Sequence, residues 1–594
     1  MEDLKSRFYD DVDKKCPLNV YPRPQFERNM WVNLNGEWDF QKNKSEEFPD
    51  NYTGKIIVPF APESMLSGVH EQVYPDDYLW YRKKFTLEKK ETEGKEIILN
   101  FGAVDYICNI FVNGHKAGSH RGGYNDFSVD ITDFTEVGQN EITVMVQDPT
   151  DEGHQQRGKQ SLYSHGFWYT STSGIWQTVW LEFVDKSRIK SVKFTPDIDS
   201  EIINIKTEAT DNSASLSAEI SFDENVVFSG EISADENIKI ENPKLWSPEE
   251  PNLYCVKFKM TKDGDVTDEV KSYFGMRKFS LQKDEKGYTR LCLNNKIYFM
   301  TGLLDQGYYP DSGLTPPTDD AMKFDISEMK RLGFNMLRKH IKREPARWYY
   351  YCDKLGMLVW QDMISGGKAL DTFHAGVLPN IQGVFIPVAD FSMRDDTEKK
   401  YKIFNREKPE WREEFKSDLR EMVNSLYNTV SICTWVPFNE GWGQFDAKRI
   451  ATEVKKQDPT RFVDHASGWY DEGGGDFRSE HRYILPVQVP KKDGRAFVLS
   501  EFGGYSQIID GHVWNKKKSF GYQMYSSKEK LTKAYKKLYS TIIDKIDKGL
   551  CASVYTQVTD VEYEVNGIMT YDRKLIKIDE DTVKKINDKL KKNN

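Results

Sequence analysis

A chain of 594 residues exceeds what one hydrophobic core can organise, so about two to four domains are expected. Its 38% hydrophobic and 30% charged residues describe an ordinary water-soluble chain, and a formal charge of −10 argues against a nucleic-acid partner, which would need a basic stripe. The seven cysteines (Cys16, Cys108, Cys255, Cys292, Cys352, Cys433, Cys551) are scattered singly, without the spacing of a zinc site or of a disulfide framework.

Residues 1–16 are charged throughout and lack the apolar run of a signal peptide, and no stretch reaches the roughly 18 apolar residues that span a membrane. The expectation is a reduced, cytoplasmic protein without a membrane partner. Residues 1–185 then read as β. Runs such as Glu96–Phe101, Ile107–Val112 with the turn Asn113-Gly114, and Glu141–Val146 alternate apolar with polar, as in an antiparallel sandwich. Residues 186–279 continue in that style, with alternation in Ile202–Thr207 and Leu216–Phe222, and predict a second, smaller sandwich.

From residue 280 the rhythm changes. A helix over Asp325–Leu332 stops at Gly333, and a strand over Phe334–Arg338 follows. Next come a helix over Glu344–Leu355, a strand over Met357–Gln361, a helix over Trp411–Leu426 and a strand over Val430–Val436. Further strands are predicted at Phe462–His465, Ala496–Ser500 and Ser553–Gln557. Such alternation through residues 280–594 implies a parallel sheet with right-handed crossovers, and the length suits a (β/α)8 barrel. No glycine-rich phosphate loop points to a nucleotide. The lysines of the C-terminal stretch (Lys584, Lys585, Lys589, Lys591, Lys592) alternate with apolar residues and read as a solvated helix face.

In a (β/α)8 barrel, chemistry sits where the strands end. The run Ser431–Val436 leads through Pro437 and Phe438 to Asn439-Glu440-Gly441-Trp442, and Phe497–Ser500 leads to Glu501-Phe502-Gly503. A salt-bridged rim glutamate is the plain alternative for either residue alone. Two apolar strands each ending in an acid argue for a working pair. Two carboxyl groups flanking an anomeric carbon cleave a glycosidic bond, with retention at a separation of about 5 Å and inversion at roughly 6.5–9.5 Å. One must keep its proton while the other stays ionised. Asn439 can donate to a sugar 2-hydroxyl or simply form a turn.

Several short runs occur in one order along nearly the whole chain. They are Trp31-Val32-Asn33-Leu34-Asn35-Gly36-Glu37-Trp38, Leu79-Trp80-Tyr81-Arg82-Lys83, Val112-Asn113-Gly114, Ser173-Gly174-Ile175-Trp176, Leu245-Trp246-Ser247-Pro248 and Tyr273-Phe274-Gly275-Met276-Arg277. With Asn439-Glu440 and Glu501-Phe502-Gly503, they resemble glycoside hydrolase family 2, the family of β-galactosidases, β-glucuronidases and β-mannosidases. The resemblance implies a jelly-roll-like sugar-binding-type sandwich, an immunoglobulin-like sandwich and a catalytic barrel. It also implies Glu440 as acid/base, Glu501 as nucleophile, retention, and a glycoside or oligosaccharide substrate cleaved from its end. Some relatives bind magnesium or sodium near the site, but no tight carboxylate cluster in this sequence asks for a metal, and no cofactor is expected. Oligomers are common among relatives, and a homo-oligomer is compatible with this sequence.

Departures from the family pattern bear on the sugar. The family's Asn-x-x-Arg-x-x-His-Tyr-Pro run reads Asn335-Met336-Leu337-Arg338-Lys339-His340-Ile341 here. Arg338 is expected to orient the nucleophile, while His340 stands between a structural and a functional role. The lysine signature of β-glucuronidases is missing from Glu564–Arg573, where Glu564 would repel a carboxylate. Asn515-Lys516-Lys517 matches its letters in a different, Lys-rich loop. The last barrel strand ends Tyr555-Thr556-Gln557 instead of in a tryptophan. Asp305, Gln306 and Tyr308, Gln361 and Asp362, His465, His481, Tyr555 and Trp442 are the remaining candidates for sugar contact. The expectation is a retaining exo-β-glycosidase, β-galactosidase first, with β-glucuronidase, β-mannosidase or α-L-arabinosidase as alternatives. A non-catalytic carbohydrate-binding protein is the reading from another class.

Overall fold

The computed structural model describes residues 4–367, 395–483 and 485–592. The N-terminal sandwich packs two antiparallel sheets face to face. One orders Gly54–Val58, Gly36–Asn43, Tyr78–Leu87, Gly138–Gln147, Ile107–Val112 and His115–Arg121; the other orders Trp31–Asn33, Val179–Asp185, Lys95–Phe101 and Phe127–Asp130. Alternate side chains, among them Trp38, Leu79, Tyr81, Leu99, Phe101, Ile110 and Val144, fill the space between them. Asn113 and Gly114 both take positive φ, at 50° and 81°, which lets them close the Ile107–Arg121 hairpin with the twist its strands need.

The middle sandwich sets a three-stranded sheet (Ile189–Asp197, Ile202–Ala209, Asp235–Lys239) against a four-stranded one (Asn225–Glu231, Ser215–Phe222, Tyr254–Lys262, Asp265–Phe274). The hairpin of Phe279–Lys283 and Thr289–Leu293 then leads into the barrel and helps to plug its floor.

Among the described residues the barrel sheet has eight parallel strands. They are β1 (Met300–Asp305), β2 (Met336–Lys339), β3 (Leu358–Asp362), β4 (Ile432–Val436), β5 (Phe462–Val463), β6 (Phe477–Arg482), β7 (Ala496–Gly503) and β8 (Leu550–Thr556). The ladder runs unbroken from β5 back through β1 to β8, β7 and β6. At the remaining seam, between β5 and β6, the Asp476 amide donates to the Val463 carbonyl at 2.8 Å. Met300, Leu304, Met336, Leu358, Trp360, Val498 and Val554 pack inside the barrel. Leu303, Leu337, Val359, Trp435, Phe502 and Tyr555 face the helices outside. Two of those helices begin at a side-chain cap: Thr318 accepts the Ala321 amide ahead of Asp319–Arg331, and Ser527 accepts that of Lys530 ahead of Lys528–Ile546. The lysine-rich end is the helix Glu580–Lys591, which buries Val583, Ile586 and Leu590 and leaves its lysines outward. The seven cysteines are free thiols, and no described helix is long and apolar enough to cross a membrane.

Candidate active site

Strand parity decides which side chains reach the barrel interior. In β2, Leu337 and Lys339 point outward to the helices, so Arg338 points in. In β3, Trp360 and Asp362 point in and Gln361 points out. In β7, Val498 faces in and Leu499 out, and strict alternation would turn Glu501 outward. It does not, because Ser500 has no partner in the ladder with β6, where Glu480 pairs with Leu499 and His481 with Glu501. That β-bulge aims Glu501 into the barrel while Phe502 returns to the outer core. Glu440 arrives differently. It follows β4 beyond Asn439 in a left-handed conformation at φ 52°, with its amide donating to the Ser467 carbonyl at 2.9 Å. Gly441 continues at φ 72°, where a Cβ would stand 2.3 Å from the Tyr470 ring.

These devices converge on one network. Arg338, fully buried, gives two parallel hydrogen bonds to Asp362, from Nε at 3.0 Å and Nη2 at 2.9 Å. Its Nη1 donates to Glu501 Oε1 at 3.1 Å, and Nη2 donates to Asn439 Oδ1 at 2.8 Å. With its oxygen so engaged, the Asn439 amide nitrogen has no acceptor among the described residues. Tyr483, just past β6, donates its hydroxyl to Glu501 Oε2. His481 sets Nδ1 2.7 Å from Glu440 Oε1 and Nε2 3.6 Å from Glu501 Oε1, so one ring stands between the two acids. His340 lies with Nδ1 2.9 Å from Asp362 Oδ2. Facing oxygens of Glu440 and Glu501 lie within 4.8 Å of one another.

The two acids differ in surroundings. Burial alone would raise the Glu501 pKa, but the charges of His481 and Arg338 and the Tyr483 hydroxyl outweigh it and bring it down to about 2. Glu501 is therefore an anion at any working pH, its side chain 4% exposed, whereas that of Glu440 is 28% exposed and in touch with water. Burial, and next the charge of Lys159, hold the His340 pKa well below its ordinary value, so the imidazole is neutral there. Glu440, His481 and Glu501 are also the one trio among the described residues close enough to share a metal ion. Within it, His481 meets Glu440, and Arg338 and Tyr483 donate to Glu501.

The sequence candidates divide. Glu440, Glu501, Asn439, Arg338, His340, Asp362 and His481 belong to the network. Asp305 instead faces outward and takes a hydrogen bond from the buried Lys339 at 2.8 Å, in front of Trp348 on a barrel helix. Gln361 faces outward too, held by the Tyr349 hydroxyl at 2.6 Å and donating to the Lys342 carbonyl. Tyr555 packs among Phe502, Tyr535 and Tyr539 outside the barrel, so it is no platform for a sugar. His465 accepts the Glu472 amide at 3.0 Å and sits 3.1 Å from Asp471, steadying the loop after β5. Gln306 donates to Gln557, and Tyr308 is buried against Tyr169.

Trp442 joins an aromatic chain along the mouth of the barrel. Tyr483 stacks on Tyr522 at 4.0 Å, and ring contacts continue through Phe520, Phe167 and Trp168 to Trp442. Phe167 and Trp168 come from the N-terminal sandwich, in a loop that wedges into the rim. There Arg157 and Gly158 amides donate to the Ser365 carbonyl, the Thr170 amide to Glu562, and the Tyr169 hydroxyl to Glu564. Tyr483, Tyr522 and this loop carry no motif within their own segments. The one available signal was Tyr483 two residues after His481, and it depends on β6 being recognised as a strand.

Comparison with known proteins agrees with this architecture. The model of the glycosyl hydrolase 2 galactose-binding domain-like family matches residues 55–178, that of glycosyl hydrolases family 2 matches 187–277, and the family 2 TIM barrel model matches 286–485. A protein of Formosa agariphila named a putative β-glucuronidase is 26% identical over 82% of this chain and 58% of its own length. A β-galactosidase of Thermoanaerobacter pseudethanolicus is 26% identical over 56% of this chain and 46% of its own. The chain thus spans about half to three fifths of the length of these curated relatives. Among solved structures, a β-glucuronidase of an uncultured Clostridium superposes with a TM-score of 0.74 at 15% identity, over 96% of this chain and 99% of that one. A β-galacturonidase of Eisenbergiella tayi superposes at 0.70 with 18% identity, over 96% and 98%. At such identities the likeness is one of fold.

Proposed function

Because the chain belongs to glycoside hydrolase family 2, we propose that it works as a retaining exo-β-glycosidase, with Glu501 as nucleophile and Glu440 as acid/base. The observation that carries this reading is the separation of the two acids, within 4.8 Å between facing oxygens, in unlike surroundings. That spacing leaves no room for a water molecule to attack directly and suits a covalent intermediate. Glu501, kept ionised by Arg338 and Tyr483, attacks the anomeric carbon while Glu440 protonates the departing oxygen. Glu440, nearer to water, then takes a proton from the water that hydrolyses the glycosyl ester. Asn439, fixed by Arg338, can offer its amide nitrogen, which has no acceptor among the described residues, to the 2-hydroxyl, a contact that strengthens in the transition state.

The glycone has two readings. The missing lysine signature favours a neutral sugar, β-galactose first. The positive charge of Lys159, which acts on His340 and Asp362 and has no acidic partner among the described residues, favours an acidic one. Trapping with 2-deoxy-2-fluoro glycosides across a sugar panel, followed by peptide mass spectrometry, tests the reaction itself. The label is expected on the peptide holding Glu501, and Glu501→Gln should lose at least about three orders of magnitude in kcat, or ~4 kcal/mol. Hydrolysis by the mutant at the wild-type rate would refute the assignment of the nucleophile. An unlabelled protein inert to every glycoside would favour a non-catalytic carbohydrate binder.

A further inference from the structure

Among the described residues, the rim of the barrel carries a cation that no carboxylate answers. Of the cations in and just after β2, Arg338 pairs with Asp362 and Glu501, Lys339 with Asp305 and Glu344, Lys342 with Glu344, and Arg343 with Asp126. Lys159, on the sandwich loop, is half-buried, and its ammonium has neither an ion pair nor a hydrogen bond among the described residues.

Its place is fixed from both sides. Gly158 sits at φ 65°, and a Cβ there would lie 2.7 Å from the Ile341 carbonyl, so only glycine lets the loop press this closely on the chain after β2. The Arg157 and Gly158 amides share the Ser365 carbonyl after β3. On the other side Gln160 pairs with Tyr169 in a short ladder and donates to the Tyr124 hydroxyl. Between these anchors the Lys159 side chain passes the Phe167 and Tyr169 rings, with its ammonium 5.7 and 5.5 Å from their centres. From there its charge acts on His340 and on Asp362, both members of the catalytic network. The acids of the loop after β8 that hold Tyr169 and Thr170 are engaged there. Glu564 accepts from the Tyr169 hydroxyl and from Asn566, and Glu562 accepts the Thr170 amide. Burial pushes the Glu562 pKa up to about 7, which weakens its repulsion of an incoming anion.

We infer that Lys159 binds the carboxylate of a terminal hexuronic acid, so that the N-terminal sandwich supplies the residue that selects β-uronides over neutral β-hexosides. This rests on the glycosidase reading above and names its substrate class. A lone ammonium in a partly desolvated site is costly until an anion meets it, and a substrate carboxylate is the group that both binds and neutralises it. The route differs from the lysine signature whose absence argued for a neutral sugar: the cation comes from another domain.

The test compares p-nitrophenyl β-D-glucuronide, β-D-galacturonide, β-D-glucoside and β-D-galactoside on the full chain, as wild type, Lys159→Met and Lys159→Arg. Wild type should prefer one uronide over its neutral parent by at least about 100-fold in kcat/KM, the effect of one charge-assisted contact with its attendant repulsion of wrong partners. Lys159→Met should lower that preference by at least about tenfold, chiefly through KM, and Lys159→Arg should restore part of it. Titration of wild type with free glucuronic and galacturonic acids against glucose and galactose gives a reading that needs no folded variant. Tighter binding of the acid is expected. A wild type that labels at Glu501 yet prefers a neutral or 6-phosphorylated sugar overturns the inference and leaves the glycosidase reading standing. A uronide preference untouched in a folded Lys159→Met also overturns it. A protein that neither labels nor hydrolyses any glycoside overturns both.

Discussion

At the scale of single residues, the site turns on how a buried glutamate is kept charged. Arg338 contributes to the Glu501, Asp362 and Asn439 contacts at once, and Tyr483 closes the other oxygen of Glu501. The folded pKa of Glu501 is depressed to about 2 from an ordinary 4.5. By linkage its ionisation stabilises the fold fully above the unfolded value and loses that contribution as pH falls towards about 2. On the proposed mechanism Glu501 therefore sets no acid limb on activity at pH 4 or above. Arg338→Met removes one of the charges that hold it down. Its kcat/KM profile should show an acid limb displaced to higher pH, with kcat lowered at every pH, and Tyr483→Phe should move the limb the same way by less. An acid limb unmoved in Arg338→Met would show that the guanidinium does not hold the charge of Glu501. The residue types were legible in advance, because an acid at the end of each of two apolar strands is chemistry that packing alone does not ask for. Tyr483 was not, since nothing in a tyrosine after a polar segment tells which strand end it joins.

At the scale of elements, the departures from regular geometry aim the side chains. The unpaired Ser500 in β7 turns Glu501 inward against the parity of Val498 and Leu499, and the left-handed Glu440 and Gly441 bend the chain after β4 over the barrel mouth. Gly441→Ala puts a Cβ 2.3 Å from the buried Tyr470 ring and strains a φ of 72°. It should cost about 1–3 kcal/mol of stability and, by shifting Glu440, lower kcat/KM at least about tenfold. Thermal unfolding and kinetics on the same preparation separate the two effects. Wild-type kcat/KM would mean that this turn does not set the position of Glu440 for the proposed reaction. Helices and strands with strong periodicity were read within a few residues: Pro409–Ser425 against Trp411–Leu426, Leu358–Asp362 against Met357–Gln361. The strand β6 was missed because Arg478, Ser479, Glu480, His481 and Arg482 give no apolar run. Its polar side chains serve the site and the open seam beside β5 instead of a core. The same limit misdirected attention to Asp305, Gln361 and Tyr555. Each stands at a strand end, yet parity turns each towards the helices.

At the scale of the whole molecule, the domains form one working unit. Arg28 bridges the sandwich and the middle domain, bonding Asp268 in one and Glu182 in the other, with all three side chains buried. Burial would raise the Glu182 pKa, but Arg23 and Arg28 outweigh it and bring it to about 2. Arg28→Ala leaves two buried carboxylates short of their partner and should cost about 3–5 kcal/mol. The first transition in a thermal scan should fall. A midpoint within a degree of wild type would mean that the bridge adds nothing. The sandwich also reaches the catalytic mouth through Lys159, Phe167 and Trp168, so a chain begun at residue 280 lacks one wall of its own site.

The sequence by itself determined the order of two sandwiches and a barrel, the two strand-end glutamates and their arginine. Those depend on local periodicity and on residue chemistry, which neighbours along the chain carry. Which face each strand turns to the interior, how close Glu440 comes to Glu501, and that residue 159 meets residues 340 and 362 were decided by the tertiary structure alone. A bulge, a left-handed turn and a wedge between domains each depend on atoms brought together from hundreds of residues apart, and no local pattern records them.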